Sequence, residues 1–551
     1  VAWGLIFLVF LTVSLSIPSW AKTYHVDGNK GNDGHPGSET EPFRTIRRAS
    51  EVMEPGDKAV IHEGIYHEQI MGGKSGTKGE PITYEGIDRE KVILRGSVKV
   101  ADWKKVGSKW IKARPKPNAM TNVFVLVDEA RQLKRVESAV DMPEGTFHIR
   151  PDGLYTIRLW GDADPNRDHL TEVYALDSGF YSSKRWGGTA KQFIVLRNMT
   201  IEKYGSYGVS AAGESGDESS NWEIDKVTFR YNNQAGIFWC CDDWYVHDSL
   251  FFRNSVHGCQ INGARVRFIN NICRENSCYG ATGYGGSGVI VGPFDSCHNC
   301  EIRDNLFERN GTLDTYGCGI YLEGRCHDNV VTNNLIVEDT HAGIGFYGGS
   351  YNRVYNNIVV NVSPKNSWEL CGAFVVSHSR EGAPTYSVGN LIAFNTVWGC
   401  PTAVAISEPN RVVGAGETNR FVNNLFCLER HSGKLPSAVA AVFERNGWFG
   451  PESKGFTKAA VKDWLKRTIK GTDGTYGMRK LDISPIIGVD PMLNDPEKGD
   501  FRPKQGSPSI NAGLVLSDIS VDKNGHDRSA GNAPGLGAYE FVGNSLKKGK
   551  R

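Results

Sequence analysis

At 551 residues the chain is about three to four times an ordinary domain, so it either divides into several cores or extends one core along an axis. Its 63 Lys and Arg against 62 Asp and Glu leave a formal charge of +1, no basic surplus to grip a phosphate backbone, which excludes nucleic acid as a partner. With 39% hydrophobic and 23% charged residues, disorder is excluded for most of the chain. Two residue types are in surplus: 64 Gly, and 37 Asn of which 25 fall between Asn221 and Asn424. Both tolerate the left-handed backbone region, so the middle of the chain must turn often and tightly.

Residues 1–21 are apolar almost throughout and end in Ser19-Trp20-Ala21, the pattern of a signal peptide cleaved before Lys22. That predicts a secreted or periplasmic protein with no membrane segment after cleavage; an uncleaved anchor is the alternative, though the run is short of the roughly 20 residues a span needs. Residues 22–100 read as an N-terminal cap and first coils: a strand from Thr23 to Val26, a short helix from Ile46 to Met53 stopped by Pro55-Gly56-Asp57, then short strands at Lys58 to His62, Pro81 to Tyr84 and Val92 to Leu94. Residues 101–180 change to longer alternating strands, such as Val123 to Val127 and Leu154 to Trp160, and read as a small β insertion.

Residues 181–430 repeat. Marker glycines fall at Gly208, Gly236, Gly258, Gly288, Gly319, Gly343 and Gly372, and four of them open a Gly, apolar, variable, apolar pattern: Gly236-Ile-Phe-Trp, Gly288-Val-Ile-Val, Gly319-Ile-Tyr-Leu and Gly343-Ile-Gly-Phe. A unit near 22 to 24 residues with insertions fits one coil of a parallel β-helix with three short strands. Alternation turns the second residue after each glycine outward, which predicts an outer aromatic face of Phe238, Tyr321 and Phe374 and an inward Trp239. Asn232-Asn233, Asn270-Asn271, Asn333-Asn334, Asn356-Asn357 and Asn423-Asn424 are expected at one place in the unit, with amides laddered from coil to coil. Residues 431–551 read as final coils and a cap, with helical character from Ala459 to Lys470 and a basic tail. All 12 Cys lie between Cys240 and Cys427, largely within apolar runs, and read mostly as buried thiols; Cys297-x-x-Cys300 lacks the second ligand pair of a zinc site.

With these residues in view, the chain resembles the right-handed parallel β-helix proteins of the pectate-lyase-like superfamily. The likeness rests on Tyr24-His-Val-Asp27, Pro42-Phe-Arg-Thr-Ile46 and Glu63-Gly-Ile-Tyr66 at one end, and on Gly499-Asp-Phe-Arg-Pro503, Gly506-Ser-Pro-Ser-Ile510 and Gly537-Ala-Tyr-Glu540 at the other. It implies an all-β solenoid with a carbohydrate partner, and Val60 to Glu68 with the β insertion is most similar to β-helix glycoside hydrolases that include β-xylosidases. The resemblance implies a catalytic carboxylate four residues after a marker glycine, a place held by Glu323, and a second carboxylate on the next coil where this chain has Tyr347.

Glycoside hydrolysis needs two carboxyl groups, about 5 Å apart for retention or roughly 6.5 to 9.5 Å for inversion. Coils stack about 4.8 Å apart, so carboxylates on adjacent coils suit it. Asp295 on the preceding coil is the preferred partner for Glu323, with Asp242 and Asp243 as further candidates. Phe238, Tyr321, Tyr347, Phe374, His341, His378 and Arg380 are the candidate substrate-binding residues, unless inserted loops cover the aromatics as a secondary core. No cofactor is required, although Asp242, Asp243 and Asp295 are oxygen donors of the kind Ca2+ takes. A polysaccharide lyase would instead draw on Arg325, Arg353, Arg380 and Lys365, and a glycan-binding protein without turnover is a third reading. Oligomeric state is left open.

Overall fold

The computed structural model describes residues 21–542 apart from 114–124, 129–130, 151–152, 184–188, 212–218, 278–285, 293–296, 312–316, 364–370, 378–385, 408–416, 429–440, 451–458, 460–465, 471–475, 481, 489 and 529–532. The N-terminal apolar run, Asp295, Lys365, His378 and Arg380 therefore lie outside the described residues.

Three parallel sheets, here called A, B and C, run the length of the solenoid with 14, 13 and 9 strands. One coil visits them in turn: Arg267–Ile269 in A, Ile272–Arg274 in B, Gly286–Val291 in C, and back to Glu301–Arg303 in A. Each strand pairs with its equivalent one coil on, so like residues stack. Phe229, Phe251, Cys273, Phe307 and Ile336 form one such inward column in sheet B, and the rings of Phe229 and Phe251 stack with centroids 5.1 Å apart. Each fully buried aromatic removes enough apolar surface to contribute about 1.5–3 kcal/mol.

The marker glycines have a steric cause. A Cβ on Gly208 would lie 2.6 Å from the carbonyl oxygen of Gly236; Gly236, Gly258, Gly288 and Gly319 each abut the next marker in the same way, at 2.4–2.9 Å. The column begins one coil earlier than expected, at Gly179, and its last step runs from Gly343 to Ala373 rather than Gly372. Counting from Gly372 therefore slips the strand Gly372–Ser377 by one residue, which exchanges its faces. Phe374 pairs with Ile344 and is fully buried in the core, so the expected outer aromatic points inward and Val375 takes the outer place beside Gly345.

Asparagines line all three corners. At the corner between A and B, amides run from Asn271 through Asn305, Asn334, Asn357, Asn395 and Asn424 to Asn446, each Nδ2 donating to the next Oδ1 at 2.9–3.2 Å, and the ladder ends on Asp482. A second ladder, between B and C, joins Asn232, Asn254, Asn276 and Asn310 and ends on Asp339. Asn329, Asn352, Asn390 and Asn419 form the third, between C and A. The Asn232-Asn233 pair thus belongs to a different corner from the other four pairs, which corrects the single-site expectation. The two roles of a turn asparagine are also divided in those four: Asn270, Asn333, Asn356 and Asn423 take φ of 55 to 59°, and the next residue supplies the buried amide.

At the N-terminal end the helix Ile46–Val52 is capped by Thr45, whose hydroxyl accepts from the amide of Arg48. Strands from Ser97–Val100 to Thr171–Tyr174 form two small sheets, of four and five strands, with their own core around Trp103, Phe147 and Tyr155. A buried ion network ties them to sheet B: Glu172 meets Lys203 at 2.6 Å, and Arg95 meets Glu202 at 2.6 Å. Lys466–Lys470, expected to be helical, is a strand; its backbone pairs antiparallel with Tyr476–Lys480, which supplies bonds that local propensity cannot foresee. Beyond it, Leu493, Phe501, Leu536 and Ala538 cover the last coils of sheet B.

Candidate active site

The strand Gly317–Glu323 of sheet C alternates about Ile320 and Leu322, which enter the core, leaving Tyr321 and Glu323 on the outer face. Register then assigns neighbours. Tyr321 stands between Ile290 and Gly345, and Glu323 stands opposite Tyr347, which itself faces Ser377. The place where the resemblance implies a second carboxylate is thus held by a phenol directly beside Glu323.

Tyr347 does not project straight outward. Its ring folds back over Gly345, where a Cβ would sit 2.5 Å from the ring, and stacks on Tyr321 with centroids 4.4 Å apart. The fold-back carries the Tyr347 hydroxyl to 2.6 Å from Nε2 of His341, six residues earlier, and Nδ1 of His341 lies 3.3 Å from Sγ of Cys371. Burial pushes His341 down to about 4, Cys371 up to about 11, and Tyr347 well above the usual phenol range. At neutral pH this relay is uncharged. With Cys318, Ala342, Val375 and Ala405, the two tyrosines form an apolar cluster on the outer face of sheet C. Phe238 belongs to the same face, half-buried, with its ring stacked on Tyr207 at 4.3 Å.

The other candidates separate from Glu323. Asp242 and Asp243 lie three coils away, about 14 Å along the axis, too far for paired-carboxylate chemistry. Both are held by Arg265, at 2.9 Å from Asp242 and 2.8 Å from Asp243, and Asp242 also accepts from the amide of Ala264. A guanidinium across both carboxylates does not fit a Ca2+ site. Arg353, considered for a lyase, lies on sheet A with its guanidinium on the carbonyl of Asp518. Arg325 is exposed in the turn after Glu323. Among the described residues, Glu223, Asp225 and His247 on sheet A bring possible metal ligands within 4.8 Å, but Arg197 bonds both carboxylates at 2.8 Å and makes the cluster an ion-pair network. The eleven described cysteines are buried, and Cys297 and Cys300 turn their thiols to the carbonyls of Ile261 and Gly263.

Two residues of this face escape a reading based on carboxylates and aromatics. Four residues after its own marker glycine, Asn262 holds the place of Glu323, and Gln260 holds that of Tyr321. The same count from Gly258 that gives Glu323 from Gly319 would have found Asn262.

Comparison with known proteins agrees with this architecture. Residues 208–397 match the family described as the right-handed beta helix region. The complex of XylC with xylose superposes with a TM-score of 0.62 at 14% identity, over 94% of this chain and 98% of that one. Pectate lyase Pel9A gives a TM-score of 0.43 at 16% identity, over 95% and 97%. Among curated proteins, the uncharacterised YwoF of Bacillus subtilis (strain 168) is 41% identical over 66 residues, 12% of this chain and 14% of that protein. The sheets, the corner ladders, the match over residues 208–397 and the superposition on XylC together give the chain the fold of a right-handed parallel β-helix.

Proposed function

We propose that the chain is a glycoside hydrolase acting on a polysaccharide or its oligosaccharides, with Glu323 and Asp295 as its carboxylate pair. The observation that carries the reading is the place of Glu323, on the outer face of sheet C and in register with the Tyr347 ring that stacks on Tyr321. Ring faces of this kind pack against the apolar faces of sugars. Gly292 stands opposite Glu323 on the preceding coil, and Asp295 is three residues further along the chain, within about 10 Å of backbone reach. XylC, solved with xylose on a similar fold, supports a sugar ligand. In this reading one carboxyl protonates the leaving oxygen while the other attacks, or activates water to attack, the anomeric carbon. A panel of glycans assayed by reducing-end release tests it: activity on at least one glycan, lost by at least 1,000-fold (~4 kcal/mol) in Glu323→Gln and in Asp295→Asn, is expected. Full activity in Glu323→Gln, or unsaturated products absorbing in the ultraviolet, would sink it.

A further inference from the structure

We propose that Gln260 and Asn262 form a subsite for an uncharged sugar ring on the outer face of sheet C, next to Glu323. This rests on the reading of that face as a glycan site and narrows it to neutral glycans.

Register defines the place. Ile261 pairs with Val291, and Val291 with Leu322, so the next residues, Asn262, Gly292 and Glu323, form one outward column over three coils. The neighbouring outward column holds Gln260, Ile290 and Tyr321, and Ser210 and Phe238 continue it across a β-bulge at Trp239. Asn262 and Glu323 are two coils, about 10 Å, apart, and between them stands Gly292, at φ 82°, where a Cβ would lie 2.7 Å from both Cβ of Cys326 and the carbonyl oxygen of Glu323. Ile290 is the apolar residue between Gln260 and Tyr321, and Phe238 offers a ring one coil beyond Gln260.

The second observation is the state of the amides. Asn262 is 1% exposed and Gln260 5%, yet neither Nδ2 nor Oδ1 of Asn262 has a hydrogen-bond partner, and Nε2 of Gln260 has none. Ser210, fully buried in the same outward column, also has an unbonded Oγ. The corner asparagines show the contrast: their amides are used coil by coil. A buried polar group without a partner destabilises the free protein, a cost recovered when a ligand or water supplies the bond. One amide offering both a donor and an acceptor suits a sugar hydroxyl, which both donates and accepts. A uronate carboxylate only accepts and is held best by a cation; Gln260, Asn262, Ile290 and Gly292 provide none, Arg265 is engaged by Asp242 and Asp243, and Arg325 lies in the turn beyond Glu323.

Calorimetric titration of the full chain tests this, with xylo-, cello- and galacto-oligosaccharides as neutral probes and oligogalacturonate and oligomannuronate as charged ones. The expected result is binding of a neutral oligosaccharide, weakened about tenfold or more (~1.4 kcal/mol) in Asn262→Ala and in Gln260→Leu. The melting temperature of the free protein should hold or rise in those variants, since they remove unbonded buried groups. Asn262→Ser, which keeps a small polar group, serves if Asn262→Ala does not fold. Failure of every neutral probe to bind, tighter binding of a uronate, or wild-type affinity in the variants would overturn the proposal. Glu323→Gln separates the two readings: full hydrolysis by that variant, with binding still dependent on Asn262, removes the assigned chemistry and leaves the subsite standing.

Discussion

The hydroxyl of Tyr347 lies 2.6 Å from Nε2 of His341, a contact made because the Tyr347 ring crosses over Gly345 instead of extending from the strand. Gly345→Val should push the ring outward, breaking both this bond and the stack on Tyr321. Tyr347→Phe keeps the stack but strips His341 of this buried bond, at a cost of about 1–3 kcal/mol. Urea denaturation of the two variants reads the stability; the glycan screen then reports whether the ring or its hydroxyl serves the site.

The same histidine sets an acid limit. Burial holds His341 near 4, below the 6.5 of an unfolded chain, so the unfolded state binds the extra proton first and stability falls as pH drops from about 6.5 through 4. His257, bonded to Ser287 at 2.9 Å and likewise held near 4 by burial, acts in the same direction. Each can contribute up to about 3 kcal/mol. His341→Gln should flatten the loss over that range, measured as the urea midpoint at pH 7 and pH 4.5; an unchanged slope would contradict the assignment.

Asp482 pulls the opposite way. It closes the longest amide ladder, accepting from Asn446 at 3.0 Å and from the Trp448 indole at 2.9 Å, and burial raises it to about 7. A folded-state value above the unfolded one means that stability is highest below about 4 and is lost as pH rises toward 7. Asp482→Asn keeps an acceptor oxygen for both donors and removes the buried charge. Its thermal midpoint should exceed wild type at pH 8 and converge with it at pH 4, with a difference of up to about 4 kcal/mol.

The β insertion is fastened to sheet B by charge. Glu172, 1% exposed, receives Lys203 at 2.6 Å and the Ser97 hydroxyl at 3.0 Å. Lys203→Met leaves that carboxylate without its closest cation and should cost about 3–5 kcal/mol. Pairing it with Glu172→Gln should recover part of the loss, which a double-mutant cycle followed by calorimetry measures.

The resemblance at the chain ends and the interior repeats made different parts of the fold legible. Gly208, Gly236, Gly258, Gly288, Gly319 and Gly343 announce a coil because each faces a backbone carbonyl at a distance no side chain tolerates. The last marker failed because Ala373, small enough for the same place, is preceded by an unrelated glycine, and a slip of one residue buried Phe374. Asn232 and Asn271 look alike in sequence and occupy different corners, since a repeat of Asn pairs carries no label for the corner it turns.

At the candidate site, position along a strand was readable and side-chain contact was not. Counting from Gly319 reaches Glu323, and counting from Gly343 reaches Tyr347, so their pairing follows from the repeat. Asp242 and Asp243 looked like free carboxylates until Arg265, one coil on, proved to hold both. Gln260 and Asn262 carry no chemistry that sequence marks; only the folded structure shows that their amides are buried with atoms left unbonded.

The sequence by itself determined the solenoid, because close stacking of identical coils demands glycine and asparagine at fixed places and leaves a periodic trace. Only the tertiary structure decided where the register of the coils holds and where it slips, as at Gly372, and which outward side chains find partners, because insertions of unequal length separate neighbouring coils by 22 to 31 residues between markers. That register sets Gln260 and Asn262 on the face of Glu323, and the absent side chain of Gly345 lets Tyr347 turn back to His341.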